Sequence, residues 1–112
     1  MDPSPFSIAG SSLDGRTTLT VRGELDLATA PELEAAVRAG LDDGDVVLDL
    51  RELEFMDSSG VRVLVTAHAE AAERGRDFAV VRPAPTSPVA KILVIAGLDG
   101  QLTLLDDVGR RP

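Results

Sequence analysis

The sequence has no cysteine, no tryptophan and no tyrosine among its 112 residues. Without thiols there is no disulfide framework, no thiolate metal site and no thiol chemistry. Basic residues are scarce: eleven Lys and Arg stand against nineteen Asp and Glu, a formal net charge of −8. That balance argues against nucleic acid or an anionic membrane surface as a partner. No apolar run approaches the roughly 20 residues that cross a bilayer. The opening Met1-Asp2-Pro3-Ser4-Pro5 has no basic region and no signal-like apolar core. The expectation is a cytoplasmic protein, a monomer or weak dimer, with no direct nucleic-acid or membrane contact.

What is present is ordinary for a soluble globular protein, 44% hydrophobic and 27% charged. The length suits one domain over 1–112, with a core over about 6–105 and a polar tail over 106–112. Phe6 and Ile8 alternate with polar neighbours, as do Leu19 and Val21, and Asp14-Gly15 between them is a type I′ turn signal. A two-residue turn puts Ile8 opposite Val21 and Gly10 opposite Leu19, which gives a hairpin over roughly 5–13 and 16–23. Thr29 with Glu32 three residues on, and Pro31 in the first turn, reads as a capping box. Leu33, Ala36, Val37, Gly40 and Leu41 then mark one helical face, and Gly44 reads as a left-handed stop.

Val46-Val47-Leu48-Asp49-Leu50 is a short apolar run suited to a central strand. Its one polar residue, Asp49, is expected to be satisfied locally. A turn carrying Leu53 follows, then a second helix with Val61, Leu64, Val65, His68, Ala71 and Ala72 on its buried stripe and Gly75 as its stop. Phe78–Val81 reads as a strand. Ser87 or Thr86 caps a third helix with Pro88 in its first turn, Gly97 ends it, and Gln101–Leu105 reads as a last strand. The order is β-β-α-β-α-β-α-β: an α/β fold with an antiparallel N-terminal hairpin and parallel central strands.

The chemistry concentrates at Phe55-Met56-Asp57-Ser58-Ser59-Gly60-Val61, where an apolar stretch gives way to a helix. A helix N-terminus offers unpaired N–H groups and the positive end of the macrodipole, a natural place for phosphate. Two readings of Ser58 stand side by side: a helix cap, for which Ser and Asp are the preferred residues, or a phosphoacceptor. Arg62, three positions after Ser59, rules out a capping box there. Asp57 is either a second cap or a carboxylate that faces a partner and orients the Ser58 hydroxyl. His68, the one histidine, lies ten residues beyond Ser58, about 15 Å along a helix, too far for a nucleophile–base pair. With no metal cluster and no phosphate-cradling glycine loop, neither enzyme activity nor a cofactor is expected. Arg62 and Lys91 read as solvated or rim side chains.

Gly23-Glu24-Leu25-Asp26 after a hairpin, Val47-Leu48-Asp49-Leu50, the Asp57-Ser58-Ser59-Gly60 junction and Ala96-Gly97-Leu98 together resemble the STAS domain, over roughly 6–105. The likeness is strongest to free-standing bacterial anti-sigma factor antagonists. It implies a STAS-like mixed sheet with helices packed on it and a partner that is both anti-sigma factor and serine kinase. Phosphorylation would fall on Ser58, a metal-dependent serine phosphatase would reverse it, and only the unphosphorylated form would bind and free the sigma factor. The partner surface would comprise Asp57, Ser58, Ser59 and Gly60, with Asp26 from the loop before the first helix. Asp26 has the alternative role of a helix cap. Two rival functions remain. A phosphoaspartate receiver would use Asp57, but receivers start with a strand–helix unit and need further carboxylates for magnesium. A non-switching STAS scaffold, in a transporter or signalling assembly, would share the fold without the phosphorylation.

Overall fold

The computed structural model describes residues 5–108, so the 109–112 part of the expected tail lies outside the described residues. Asp14 and Gly15 both have positive φ, 52° and 78°, as a type I′ turn requires. They join β1 (Ser7–Leu13) to β2 (Arg16–Leu25). The antiparallel register is the expected one, with Ile8 opposite Val21 and Gly10 opposite Leu19. The chain continues through α1 (Ala30–Asp43), β3 (Asp45–Asp49), β4 (Leu53–Met56), α2 (Ser58–Arg74), β5 (Phe78–Val81), α3 (Pro88–Ile95) and β6 (Thr103–Leu105). The sheet runs β1-β2-β3-β5-β6, with β4 also paired to β2. All pairings other than the hairpin are parallel.

One strand was not expected. The segment read as a turn carrying Leu53 is β4, and the reason lies in β2. That strand is ten residues long, twice the length of β3. Its first half, Arg16–Thr20, pairs with β3. Its second half, Gly23–Leu25, runs past the end of β3 and takes β4 as a new neighbour. The register shifts between Gly23 and Glu24. Gly23 has φ 92°, and a Cβ there would lie 2.8 Å from the Phe6 Cα. Only glycine fits both the left-handed backbone and the close approach of the first strand.

The core is one cluster drawn from both layers. Leu19, Val21 and Leu25 of β2, Val46 and Leu48 of β3, Leu33, Val37 and Leu41 of α1, Leu64 of α2, and Val89 and Leu93 of α3 all belong to it. At about 1.5–3 kcal/mol for each fully buried aliphatic side chain, this cluster is the main favourable contribution to folding. The α1 face matches its periodicity, but its two ends differ from expectation. Thr29 has a helical backbone and no side-chain cap hydrogen bond, so the capping box with Glu32 does not form. Gly44 is extended (φ 162°) rather than left-handed. A Cβ at Gly44 would sit 2.0 Å from the Gly15 carbonyl oxygen, so close packing against the hairpin turn explains the glycine.

The α2 stripe is rotated from the expected one. Gly60, Val63, Leu64, Ala67 and Ala71 are buried, whereas Val65, His68 and Ala72 are exposed. Gly60 sets that phase by facing the core. Gly75 (φ 67°) ends the helix in the left-handed conformation, as expected. Ser87 caps α3 and Gly97 (φ 74°) stops it, with Leu98 buried just beyond. Val89 and Leu93 are buried on the inner face of α3, whereas Ala96 is exposed. Asp49 is satisfied locally as expected: its carboxylate accepts from the Arg51 backbone N–H (3.0 Å), Nε (3.1 Å) and Nη2 (3.0 Å). Arg51, to which the sequence assigned no role, is therefore the partner of the one buried charged residue among those described. That carboxylate raises the guanidinium pKa above its ordinary value.

Candidate functional site

The site is built where β2 and β4 end together. Leu25 pairs with Met56, so the next residues, Asp26 and Asp57, leave the sheet side by side. The Asp57 N–H donates to the Leu25 carbonyl at 3.2 Å, which ties the two exits together. Each exit leads into a helix within a few residues, so the N-termini of α1 and α2 open on the same sheet end. The pairing of β4 produces this juxtaposition.

At the first exit, Asp26 folds its own loop. Its Oδ1 accepts from the N–H groups of Ala28 (3.0 Å) and Thr29 (3.2 Å). The Thr29 hydroxyl accepts from the Asp26 N–H and donates to the Glu24 carbonyl, each at 2.9 Å. These bonds explain why Thr29 caps nothing: its hydroxyl is already engaged inside the turn. They also hold Leu27 outward, 80% exposed.

At the second exit, Asp57 is the N-cap of α2. Its backbone is extended, and its side chain accepts from the Ser59 N–H at 2.8 Å. Ser58 is the first helical residue and is exposed. With the cap position filled by the carboxylate, the Ser58 hydroxyl has no capping duty. Ser59 is half-buried. Gly60, expected on the partner surface, is buried and turned inward. A Cβ there would lie 2.4 Å from the Met56 Cγ and 2.9 Å from the Leu25 Cδ2. Glycine is required so that the first turn can lie against the sheet, and it presents nothing to a partner itself.

Between the two helix starts runs an open groove of about 300 Å³, lined by Leu27, Ala30, Pro31, Glu34, Ser58, Ser59, Arg62 and Val63. The α1 side contributes Leu27, Ala30 and Pro31 with the Glu34 carboxylate, and the α2 side contributes the two hydroxyls, Arg62 and Val63. Glu34 is paired with Arg38 at 3.5 Å. Phe55, 43% exposed on β4, adds an aromatic surface three residues before Ser58. Among the described residues no group of His, Asp and Glu could hold a metal ion, and no helix is long and apolar enough to cross a membrane. The structure thus brings together Asp26, Asp57, Ser58 and Ser59 from the sequence. Leu27 is an addition, whereas in the sequence Phe55 stands only as part of the junction and Arg62 reads as an exposed side chain without a site role. The signal available for Leu27 was an apolar residue out of phase with the α1 stripe, and for Arg62 its spacing of four from Ser58.

Residues 8–106 match the family described as "Mlab, STAS domain". The chain belongs to the STAS domain family. It is similar to the anti-sigma-F factor antagonist RsfB of Mycobacterium tuberculosis, with 31% identity over 99 residues, which cover 87% of this chain and 79% of RsfB. Among solved structures it resembles an anti-sigma factor antagonist from Mycobacterium paratuberculosis, with a TM-score of 0.83 and 28% identity. That likeness covers 94% of this chain and 89% of the other. The unphosphorylated anti-sigma factor antagonist SpoIIAA shares the fold, with a TM-score of 0.71 at 21% identity over 90% of this chain and 88% of SpoIIAA. The STAS fold therefore places the Asp57–Ser58 junction of this chain on the sheet end where its first two helices start.

Proposed function

We propose that this STAS domain is an anti-sigma factor antagonist, a binding protein rather than an enzyme, switched by phosphorylation of Ser58. The unphosphorylated form binds an anti-sigma factor that is also a serine kinase, and so releases the sigma factor. A metal-dependent serine phosphatase restores the binding form. The observation that carries this reading is the division of labour between Asp57 and Ser58. The carboxylate caps the helix, so the neighbouring hydroxyl is exposed and can be modified without loss of a structural bond. Similarity to RsfB along most of the chain supports the partner class.

A phosphate on Ser58 adds about −1.5 to −2 charges and three acceptor oxygens. At a helix N-terminus that charge is tolerated, with a stabilisation of roughly 0.3–1 kcal/mol when exposed. The fold is retained, while a partner docked on this end meets a dianion beside the Asp57 and Asp26 carboxylates. Each loss of about 1.4 kcal/mol weakens binding tenfold. The interface in this reading comprises Asp57, Ser58, Ser59 and Asp26, with Leu27 and Phe55 as its apolar anchors. The switch acts by charge and bulk at an interface, without refolding.

Pull-downs from the native organism with wild type, Ser58→Ala and Ser58→Asp test this. Ser58→Ala is expected to retain a kinase-like partner and Ser58→Asp to lose it. Equal capture by all three would overturn the switch and favour a non-switching scaffold.

A further inference from the structure

We infer that Arg62 is the intramolecular counter-ion of a phosphate on Ser58, a positioning residue that holds the modified side chain against the first turn of α2. The inference rests on the reading of Ser58 as the phosphoacceptor and adds how the modified state is held. Ser58 and Arg62 are four residues apart on one helix and line the same groove. Side chains on a helix lean toward its N-terminus, so a residue covers the turn before its own Cα. An extended Arg62 side chain can therefore reach back toward Ser58, as in an i,i+4 pair.

The charges around it leave Arg62 available. Five other arginines are held by carboxylates: Arg22 by Glu52 (2.9 Å), Arg38 by Glu34 and Glu70, Arg51 by Asp49, Arg74 by Asp42 and Glu70, and Arg82 by Asp106. Arg16 donates to the Val108 carbonyl, and Arg76 lies beyond the far end of α2. Among the described residues Arg62 forms no such pair. No acidic residue lies in the first turn of α2 to compete for it, and Glu34, across the groove, is already bonded to Arg38. A guanidinium presents a planar fork of N–H donors that fits phosphate oxygens two at a time.

Two opposing sets of charge then act on the phosphate. Asp57 on the same helix, and Asp26 and Glu34 from the α1 side, favour its monoanion. Arg62 and the N–H groups of the first turn favour its dianion. Removing the Arg62 charge alone shifts that balance in one direction.

The test is a ³¹P NMR pH titration of the full chain carrying phosphoserine at position 58, compared with the same protein bearing Arg62→Gln or Arg62→Lys. In the unphosphorylated chain Arg62 is exposed and bonded to no carboxylate, so without the phosphate wild type and both Arg62 variants are expected to share one thermal midpoint. The second phosphate pKa is expected to be higher by about half a pH unit in Arg62→Gln than in wild type. Arg62→Lys is expected to fall between them, because it keeps the charge without the fork. Identical pKa values in wild type and Arg62→Gln would overturn the clamp. That outcome is separate from the switch, which is overturned by equal partner capture by wild type, Ser58→Ala and Ser58→Asp.

Discussion

Two helices of this protein begin at a serine, and the two serines are used differently. At the start of α3, Ser87 is the N-cap: its Oγ accepts from the N–H groups of Val89 (3.0 Å) and Ala90 (3.3 Å). At the start of α2, Asp57 holds that position and Ser58 follows it, one residue inside the helix. One hydroxyl is half-buried and engaged with the backbone, and the other is exposed. The difference comes from a single preceding residue. A carboxylate that caps leaves the next hydroxyl without a capping role.

The largest expected effect concerns the residue that keeps the α2 turn in place. Gly60→Ala puts a methyl group into Met56 and Leu25 and is expected to destabilise by about 1–3 kcal/mol, read as a lower urea midpoint. An unchanged midpoint would mean that the turn is not seated on the sheet as described. Next come the caps themselves. Ser87→Ala and Asp57→Ala should each cost about 1 kcal/mol, whereas Asp57→Asn should cost little, because Asn caps as well as Asp. Ser58→Ala sharpens the contrast with Ser87→Ala most directly. Its expected effect lies within about 0.5 kcal/mol of zero, and a cost equal to that of Ser87→Ala would make Ser58 a second cap.

The smallest effect is electrostatic and lies near the α3 end, away from the Ser58 groove. Arg82 donates to Asp106 at 2.8 Å and lowers the Asp106 pKa below its ordinary value of 3.8. A carboxyl with a lowered folded pKa stabilises the fold above its unfolded pKa, and that contribution is lost as pH falls through the folded value. Asp106 is fully exposed to solvent screening. Wild type and Arg82→Gln should therefore differ slightly at pH 7 and converge below the ordinary aspartate range. A difference that persists in acid would assign the effect of Arg82 to packing.

The elements that could be read from the sequence are those whose signals are local. Asp14-Gly15 marked its turn, and Thr86-Ser87 before Pro88 placed the α3 start to within one residue, because no tertiary partner competed. Asp57 and Ser58 were legible as a junction, but which of them caps was not, since either side chain can reach a free N–H. Three features depended on partners distant in sequence. Leu53–Met56 shows no alternation, with Leu53 and Met56 buried and the two residues between exposed. It becomes a strand because β2 outruns β3. Thr29 lost its capping role to hydrogen bonds within the Asp26 loop. His68 and Val65 fitted a helical stripe on paper, yet the contact of Gly60 with Met56 and Leu25 turns them to solvent. At the site, Leu27 and Arg62 gained meaning only when the groove joined the two helix starts.

The central claim is that Ser58 governs binding and not folding. Phosphoserine installed at position 58 allows both to be measured on one protein. The unmodified and phosphorylated chains would be titrated against the anti-sigma factor captured by Ser58→Ala, with thermal unfolding followed in parallel. The expected result is affinity weakened by at least about tenfold with the thermal midpoint retained. Equal affinity for the two forms would contradict the account.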